Sequence, residues 1–265
     1  MGSNAAAEWA AALAALAIPT HILEAAPESP YGFPARLFEH RAREALERPP
    51  TPSIERAREA VGGGGTVLDV GVGAGAASLP LAPPATSITG VDQSPRMLEA
   101  FRHAAEDRGV RHREVEGTWP GVASIVDDAD VVLCHHVFYN APDLAAFASA
   151  LTDKARRRVV VELTARHPMC ELNDLWLHFH GLVRPEGPKA EAAIAVLQET
   201  GIEPSTERWQ RPSLGHGSAS ERIALARKRL CLGPDRDEEI AALLGGRELT
   251  PTDVVTLWWD GRARA

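Results

Sequence analysis

Three glycines at alternate positions constrain this chain more than any other feature. They lie in Asp69-Val70-Gly71-Val72-Gly73-Ala74-Gly75, which overlaps and extends the apolar run TVLDV (66–70). Glycine reaches backbone angles closed to other residues and lets the main chain approach a ligand closely. A second apolar run, SITGVD (87–92), ends in Asp92, roughly 20 residues further on, where an acidic group can hold ribose hydroxyls. Formally, Gly71, Gly73 and Ala76 also satisfy the dinucleotide fingerprint, whose third glycine can be alanine. The alternative without a ligand is a tight strand-to-helix turn.

The rest of the chain continues the alternation. Ser94 and Pro95 open a helix whose Met97, Leu98, Phe101, Ala104 and Ala105 recur at period 3.6. Strands are expected at 110–117, 130–136 and 157–165, with a helix over 142–151. Short strands at 205–210 and 253–259 close the pattern. The fold class predicted is α/β: a Rossmann-like, seven-stranded, mostly parallel sheet with helices on both faces. Residues 1–60 read as an N-terminal helical cap, with Trp9, Leu13 and Leu16 on one helical face and a second helix over 34–47. Residues 61–265 then form the ligand-binding domain, with inserted lid segments at 166–200 and 213–252.

Composition removes several function classes. Lys and Arg number 28 against 36 Asp and Glu, so the net charge is −8, and a nonspecific grip on nucleic acid is not expected. Three distant cysteines (Cys134, Cys170, Cys231) suggest buried thiols in a reducing compartment. The apolar start lacks a preceding Lys or Arg and is interrupted by Glu8, unlike a secretory signal or a membrane span. The expectation is a cytoplasmic protein with no membrane partner.

Asp69 separates the ligand classes. A pyrophosphate in the glycine loop would be repelled by a nearby carboxylate, whereas a ligand carrying an ammonium and a sulfonium would be attracted. S-adenosylmethionine has both, and a ribose for Asp92. With these residues in view, the sequence resembles the class I S-adenosylmethionine-dependent methyltransferases. VLDVGVGAG is similar to that family's first motif and ITGVDQSPRML to its second. DADVVLCHHVFYNAPDL resembles the fourth-strand region of its small-molecule branch. The resemblance spans about residues 60–165. It implies that Asp69 contacts the methionine moiety, that Gly71, Gly73 and Gly75 line methionine and ribose, and that Asp92 binds the ribose. Gln93 and Met97 would then lie by the adenine. The family's acidic residue after the third strand is replaced by EGTWP, so Thr118 or Trp119 would stand in. The family's Pro-Gly-Gly turn before the fifth strand is replaced by TDKARRR, which predicts a different local loop.

Methyl transfer from a sulfonium depends first on alignment. Orientation contributes about 7–11 kcal/mol, while a general base adds a factor of about 10²–10⁴. The candidate catalytic residues lie beyond the carboxyl ends of the strands: His135 and His136 after the fourth, Glu162 on the fifth, and His167 in the next loop. Neighbours on a strand point oppositely, so one histidine can face cofactor (His135 is also a candidate cofactor contact) and the other substrate or core. The alternative for each is a hydrogen-bonded structural residue. His167, Cys170, His178 and His180 fall close together, but on a helix His178 and His180 point about 200° apart, so no metal is expected. Leu172, Leu175, Trp176, Phe179 and Leu182 form an apolar stripe, either core or lid. Tyr31 and Phe33 are turn residues that could also touch the methionine end. The basic cluster Arg222, Arg227, Lys228 and Arg229 reads as a solvated helix face. The reading is a methyltransferase acting on a small-molecule acceptor, with a homodimer possible. The rivals are a noncatalytic cofactor-binding scaffold, a methyltransferase of RNA or protein, and an NAD-dependent oxidoreductase.

Overall fold

The computed structural model describes residues 4–32, 35–212, 218–245, 247 and 250–262. Phe33, the side chains of Leu37, Phe38 and Arg41, and parts of the 213–252 segment lie outside the described residues. Seven strands form one sheet: β1 (Gly65–Val70), β2 (Ala85–Asp92), β3 (His112–Glu116), β4 (Ala129–His135), β5 (Ala155–Thr164), β6 (Ser205–Arg211) and β7 (Thr252–Asp260). Their order is β3-β2-β1-β4-β5-β7-β6. β1 to β5 pair in parallel, and β7 runs antiparallel to both β5 and β6. The mostly parallel seven-stranded sheet is therefore as expected.

Burial explains the strand sequences. β1, β4 and β5 are covered on both faces, which is why they read as continuous apolar runs rather than alternating ones. β6, STERWQR, stands at the sheet edge, and its residues alternate between exposed and half-buried.

The described helices are α1 (Ala5–Ala14), α2 (Thr20–Ala25), α3 (Ala35–Glu47), α4 (Pro52–Val61), α5 (Pro95–Asp107), α6 (Leu144–Lys154), α7 (Asn173–His180), α8 (Ala190–Glu199), α9 (Ala219–Arg229) and α10 (Asp237–Gly245). One face of the sheet, through Leu68, Val132, Val159 and Val161, packs on α1, α6 and α8. The other face, through Val67, Val131, Leu133 and Val160, packs on Ile54, Ala57 and Val61 of α4 and on Leu98 and Phe101 of α5. The crossover from β1 to β2 contains turns and a single short 3-10 segment, Leu79–Leu81. At the TDKARRR junction α6 ends at Lys154 and β5 starts at Ala155, with no intervening turn.

A third apolar cluster lies apart from the sheet. Ile18 and Ile22, Leu175 and Trp176, and Leu230 and Cys231 meet there from three separate parts of the chain. The N-terminal helices expected as a cap are thus shared among all three clusters: α1 joins the first, α4 the second and α2 the third. The connections after β5 and between β6 and β7 both leave from the carboxyl edge of the parallel strands, so α7, α9 and α10 gather at the edge where the glycine loop lies. Among the described residues no helix is long and apolar enough to cross a membrane.

Candidate functional site

The glycine loop leaves β1 at the carboxyl edge, held against β2. Gly71 and Val72 donate their N–H groups to the Val91 carbonyl at 2.8 and 3.0 Å. Gly71, Gly73 and Gly75 have φ of 79°, 53° and 86°, the left-handed region that L side chains rarely adopt. The Gly73 N–H donates to Asp92 Oδ2 at 3.0 Å, and the Ser94 N–H donates to Oδ1 at 2.9 Å. The loop and the acidic end of β2 therefore form one unit. The remaining lone pairs of the Asp92 carboxylate can accept from a diol.

Asp69 is 1% exposed, and its Oδ2 has no partner among the described residues. Burial, opposed by the Ser78 hydroxyl and reinforced by the charge of Asp92, pushes its carboxyl up to about 7. An orphaned buried carboxylate oxygen beside a glycine loop fits a cationic ligand and disfavours an anionic one. The donor set thus agrees with an amino-acid nucleoside and not with a diphosphate.

A second group of side chains lies at the ends of β4 and β5. His136 has φ 60°, a left-handed conformation uncommon outside glycine. Its N–H donates to the Glu162 carbonyl at 2.6 Å, and its Nε2 lies 2.9 Å from Glu162 Oε1. Arg211, the last residue of β6, places Nη1 2.9 Å from the same Nε2 and 3.8 Å from Oε1. One ring nitrogen cannot serve both neighbours. With a proton it donates to Glu162; without one it accepts from Arg211. Nδ1 of His136 has no bond among the described residues.

Glu162 is buried, which by itself raises a carboxyl. The His136 hydrogen bond, the two neighbouring imidazoles and the Ser53 hydroxyl outweigh that burial and hold Glu162 well below the usual carboxylate range. Ser53, near the start of α4, also meets Thr256 Oγ1 at 2.7 Å, and Trp209 Nε1 donates to the same Thr256 oxygen at 3.0 Å. His135 is half-buried, its Nδ1 is 4.0 Å from Glu162 Oε2, and its Nε2 is buried with no partner among the described residues. Burial dominates there, and despite Glu162 the imidazole is pushed down to about 4, so His135 is neutral at physiological pH.

The loop after β4 joins the two groups. A Cβ placed on Gly71 would stand 2.3 Å from Val137 Cγ2, so the residue following His136 lies directly on the glycine loop.

The other candidates are more dispersed. Gln93 is exposed, and Met97 is half-buried in the first turn of α5. Thr118 is exposed, while the Trp119 indole donates to the Phe147 carbonyl at 3.2 Å and packs on the first cluster. His167 does not join the His136–Glu162 pair in any described bond. It accepts from the Met169 N–H at 3.2 Å and packs against Tyr139, ring centroids 4.9 Å apart. Burial and the charges of Arg184 and Arg229 push it down to about 4. Among the described residues no group of three or more His, Cys, Asp or Glu is placed to hold a metal ion. His178 contacts Glu239 at 2.8 Å and His180 contacts the Leu230 carbonyl at 2.7 Å. Tyr31 is exposed. The basic cluster on α9 is not a uniformly solvated face: Arg227 pairs with Asp237 at 2.6 Å, and Arg229 contacts Met169 Sδ.

Arg211, Ser53 and Thr256 are absent from the sequence-derived candidates. Nothing local marks them. They become visible only when β6 and β7 take their places beside β5.

Comparison with known proteins bears on the domain and the fold. Residues 67–157 match the family model described as a methyltransferase domain. The fold is similar to that of the YcgJ protein from Bacillus subtilis, with TM-score 0.54 at 17% identity over 80% of this chain and 99% of that one. It is also similar to magnesium protoporphyrin IX methyltransferase from Synechocystis PCC 6803 with bound S-adenosylhomocysteine, with TM-score 0.50 at 14% identity over 84% and 94% of the two chains. A third likeness is to coclaurine N-methyltransferase bound to N-methylheliamine and S-adenosylhomocysteine, with TM-score 0.51 at 13% identity over 95% and 86%. No curated protein matches in sequence.

Proposed function

We propose that this protein is an S-adenosylmethionine-dependent methyltransferase that methylates a small molecule held at the carboxyl edge of the sheet; the match of residues 67–157 to a methyltransferase-domain family model supports the reaction class. The observation that carries this reading is the third apolar cluster. It ties α2, α7 and the residues just after α9 together, on connections that leave from the carboxyl edge of the sheet. Apolar cover of this kind would exclude water from the site and suit a small acceptor, whereas a macromolecule needs an open groove. The net charge of −8 also opposes an RNA acceptor.

When bound, the cofactor supplies an electrophilic methyl group on sulfur, open to direct displacement. Asp69 would hold its cationic end, the backbone at Gly71, Gly73 and Gly75 would admit it closely, and Asp92 would accept from the ribose hydroxyls. Gln93, Met97, Thr118 and Trp119 would surround the base, with Trp119 offering only its ring because its N–H is already used. His136 would act as general base. Glu162 accepts a proton held on Nε2, which leaves the Nδ1 lone pair to take a proton from the acceptor. His135, neutral and half-buried, would orient Glu162 or contact the cofactor. His167 has a packing role in this scheme, since its ring is held on Tyr139.

The test uses methyl-labelled S-adenosylmethionine and a cell extract divided into a small-molecule filtrate, protein and RNA. Enzyme-dependent label in the filtrate is the expected result. Label in protein or RNA instead replaces the small acceptor by a macromolecular one, and no transfer despite tight cofactor binding favours a noncatalytic scaffold.

A further inference from the structure

We propose that Arg184 marks a carboxylate-binding subsite beneath the helices that close the carboxyl edge, and that the methyl acceptor is a small carboxylate. This inference rests on the methyltransferase reading above. Its starting point is an inversion of the usual burial order: Val183 is 82% exposed, while its neighbour Arg184 is 7% exposed. An arginine cannot shed its proton in a protein, and a buried charge without a counter-charge is costly.

The Arg184 guanidinium is only partly satisfied. Nη2 donates to the Leu16 carbonyl, and Cζ lies 4.5 Å from the centre of the Trp176 ring. Nη1 is buried without a partner among the described residues, and so is the Trp176 indole Nε1. Two orphan donors on stacked groups, inside an apolar cluster with Leu175 and Leu230, suit a planar two-oxygen acceptor.

The backbone is held so that Arg184 stays in place. Asn173 Nδ2 donates to the carbonyls of Arg184 and Pro185 at 3.2 and 3.1 Å, and Cys170 Sγ contacts the Glu186 carbonyl at 2.6 Å. Gly187, at φ 66°, leaves no room for a Cβ, which would meet Leu16 Cδ1 at 2.8 Å. A surface arginine needs no such clamp.

Two arginines, Arg184 and Arg229, lie near His167. Arg184 and the partly buried Arg229 both act on His167, which burial and these two charges keep neutral. The acidic group facing Arg229 is Glu171, while Glu186 pairs with Arg166 and Lys189. His167 in turn packs on Tyr139, three residues beyond His136, which links the arginine's surroundings to the loop that carries the proposed base.

The experiment measures melting temperature for the S-adenosylhomocysteine-saturated protein in acetate, benzoate and phenylacetate. Controls are chloride at matched ionic strength and neutral benzamide. A rise of a few degrees with at least one carboxylate, none with benzamide, and none in Arg184→Met is the expected result. Arg184→Lys keeps the charge without the planar fork. It retains a weakened response and serves where Arg184→Met does not fold. A wild-type melting temperature indifferent to all three carboxylates, or an undiminished response in the variants, overturns the proposal. S-adenosylhomocysteine alone separates the two sources of a carboxylate. Its stabilisation of the wild type is expected to persist in Arg184→Met. Its loss there would assign the subsite to the cofactor's own methionine carboxylate and overturn the acceptor assignment. Its absence from the wild type would instead overturn the methyltransferase reading itself.

Discussion

Val137 occupies the space that a side chain on Gly71 would need: Val137 Cγ2 stands 2.3 Å from where that Cβ would be. This contact presses the loop carrying His136 onto the glycine loop, so the glycine loop and the proposed base are positioned by one piece of packing. Gly71→Ala should therefore lose both stability and cofactor affinity. Strain at φ 79° and the clash together predict a cost on the order of 2–4 kcal/mol in denaturant unfolding. Adding Val137→Ala should recover the clash component and leave the backbone strain. Full additivity of the two single variants would show that the residues are not in contact.

Asp69 makes the empty protein sensitive to pH. Its folded pKa of about 7 lies above the ordinary 3.8, so the folded protein holds the proton more tightly than the unfolded chain. The resulting stability is fully present below about pH 4 and is lost as pH rises through 7. Asp69→Asn should exceed the wild type in stability above about pH 8, by an amount on the order of 4 kcal/mol at most, and the two should converge near pH 4. The same variant should bind S-adenosylhomocysteine more weakly. Equal stability at alkaline pH would mean that the carboxylate has a partner.

Replacing Glu162 by Gln should lower turnover while leaving cofactor affinity nearly unchanged. The amide can still meet His136 but no longer stabilises an imidazolium, so a loss of about 10²-fold in kcat is expected, within the range for general bases. His136→Ala should lose at least as much. Unchanged kcat in both variants would leave a transfer governed by alignment alone.

Arg211 shares Nε2 of His136 with Glu162, and both contacts are 2.9 Å. Arg211→Met should free Nε2 of His136 to bond Glu162 alone and so change kcat by several-fold with little change in cofactor affinity, with Arg211→Lys closer to the wild type. An unchanged kcat in both variants would reduce Arg211 to a packing residue.

Much of the fold was legible because its signals are local. The apolar runs at 66–70, 87–92 and 130–136 fall within or nearly coincide with β1, β2 and β4; β1 and β4 are buried on both faces and must be apolar throughout, while β2 is only partly buried. The break at Gly233-Pro234 separates α9 from α10 as the residues imply. Asp69, the glycines and Asp92 were readable for a similar reason: positive φ at three alternate positions demands glycine in the sequence itself. The first crossover was less legible. Its turns and the short Leu79–Leu81 segment depend on packing against Phe101 and Gly75, not on a periodic pattern.

The sequence by itself determined the sheet's strands, the glycine loop and the acidic residues that suit a cationic nucleoside, because backbone angles and burial periodicity are properties of short segments. Only the tertiary structure decided that Arg211 reaches His136 and that Arg184, rather than Val183, turns inward. Insertion of β7 between β5 and β6 brings the end of β6 to the carboxyl edge. Convergence of α2, α7 and α9 buries a guanidinium that no local pattern could have placed there. A charge's surroundings are set by chain segments far apart in sequence, and in this protein those surroundings separate a solvated cation from a binding group.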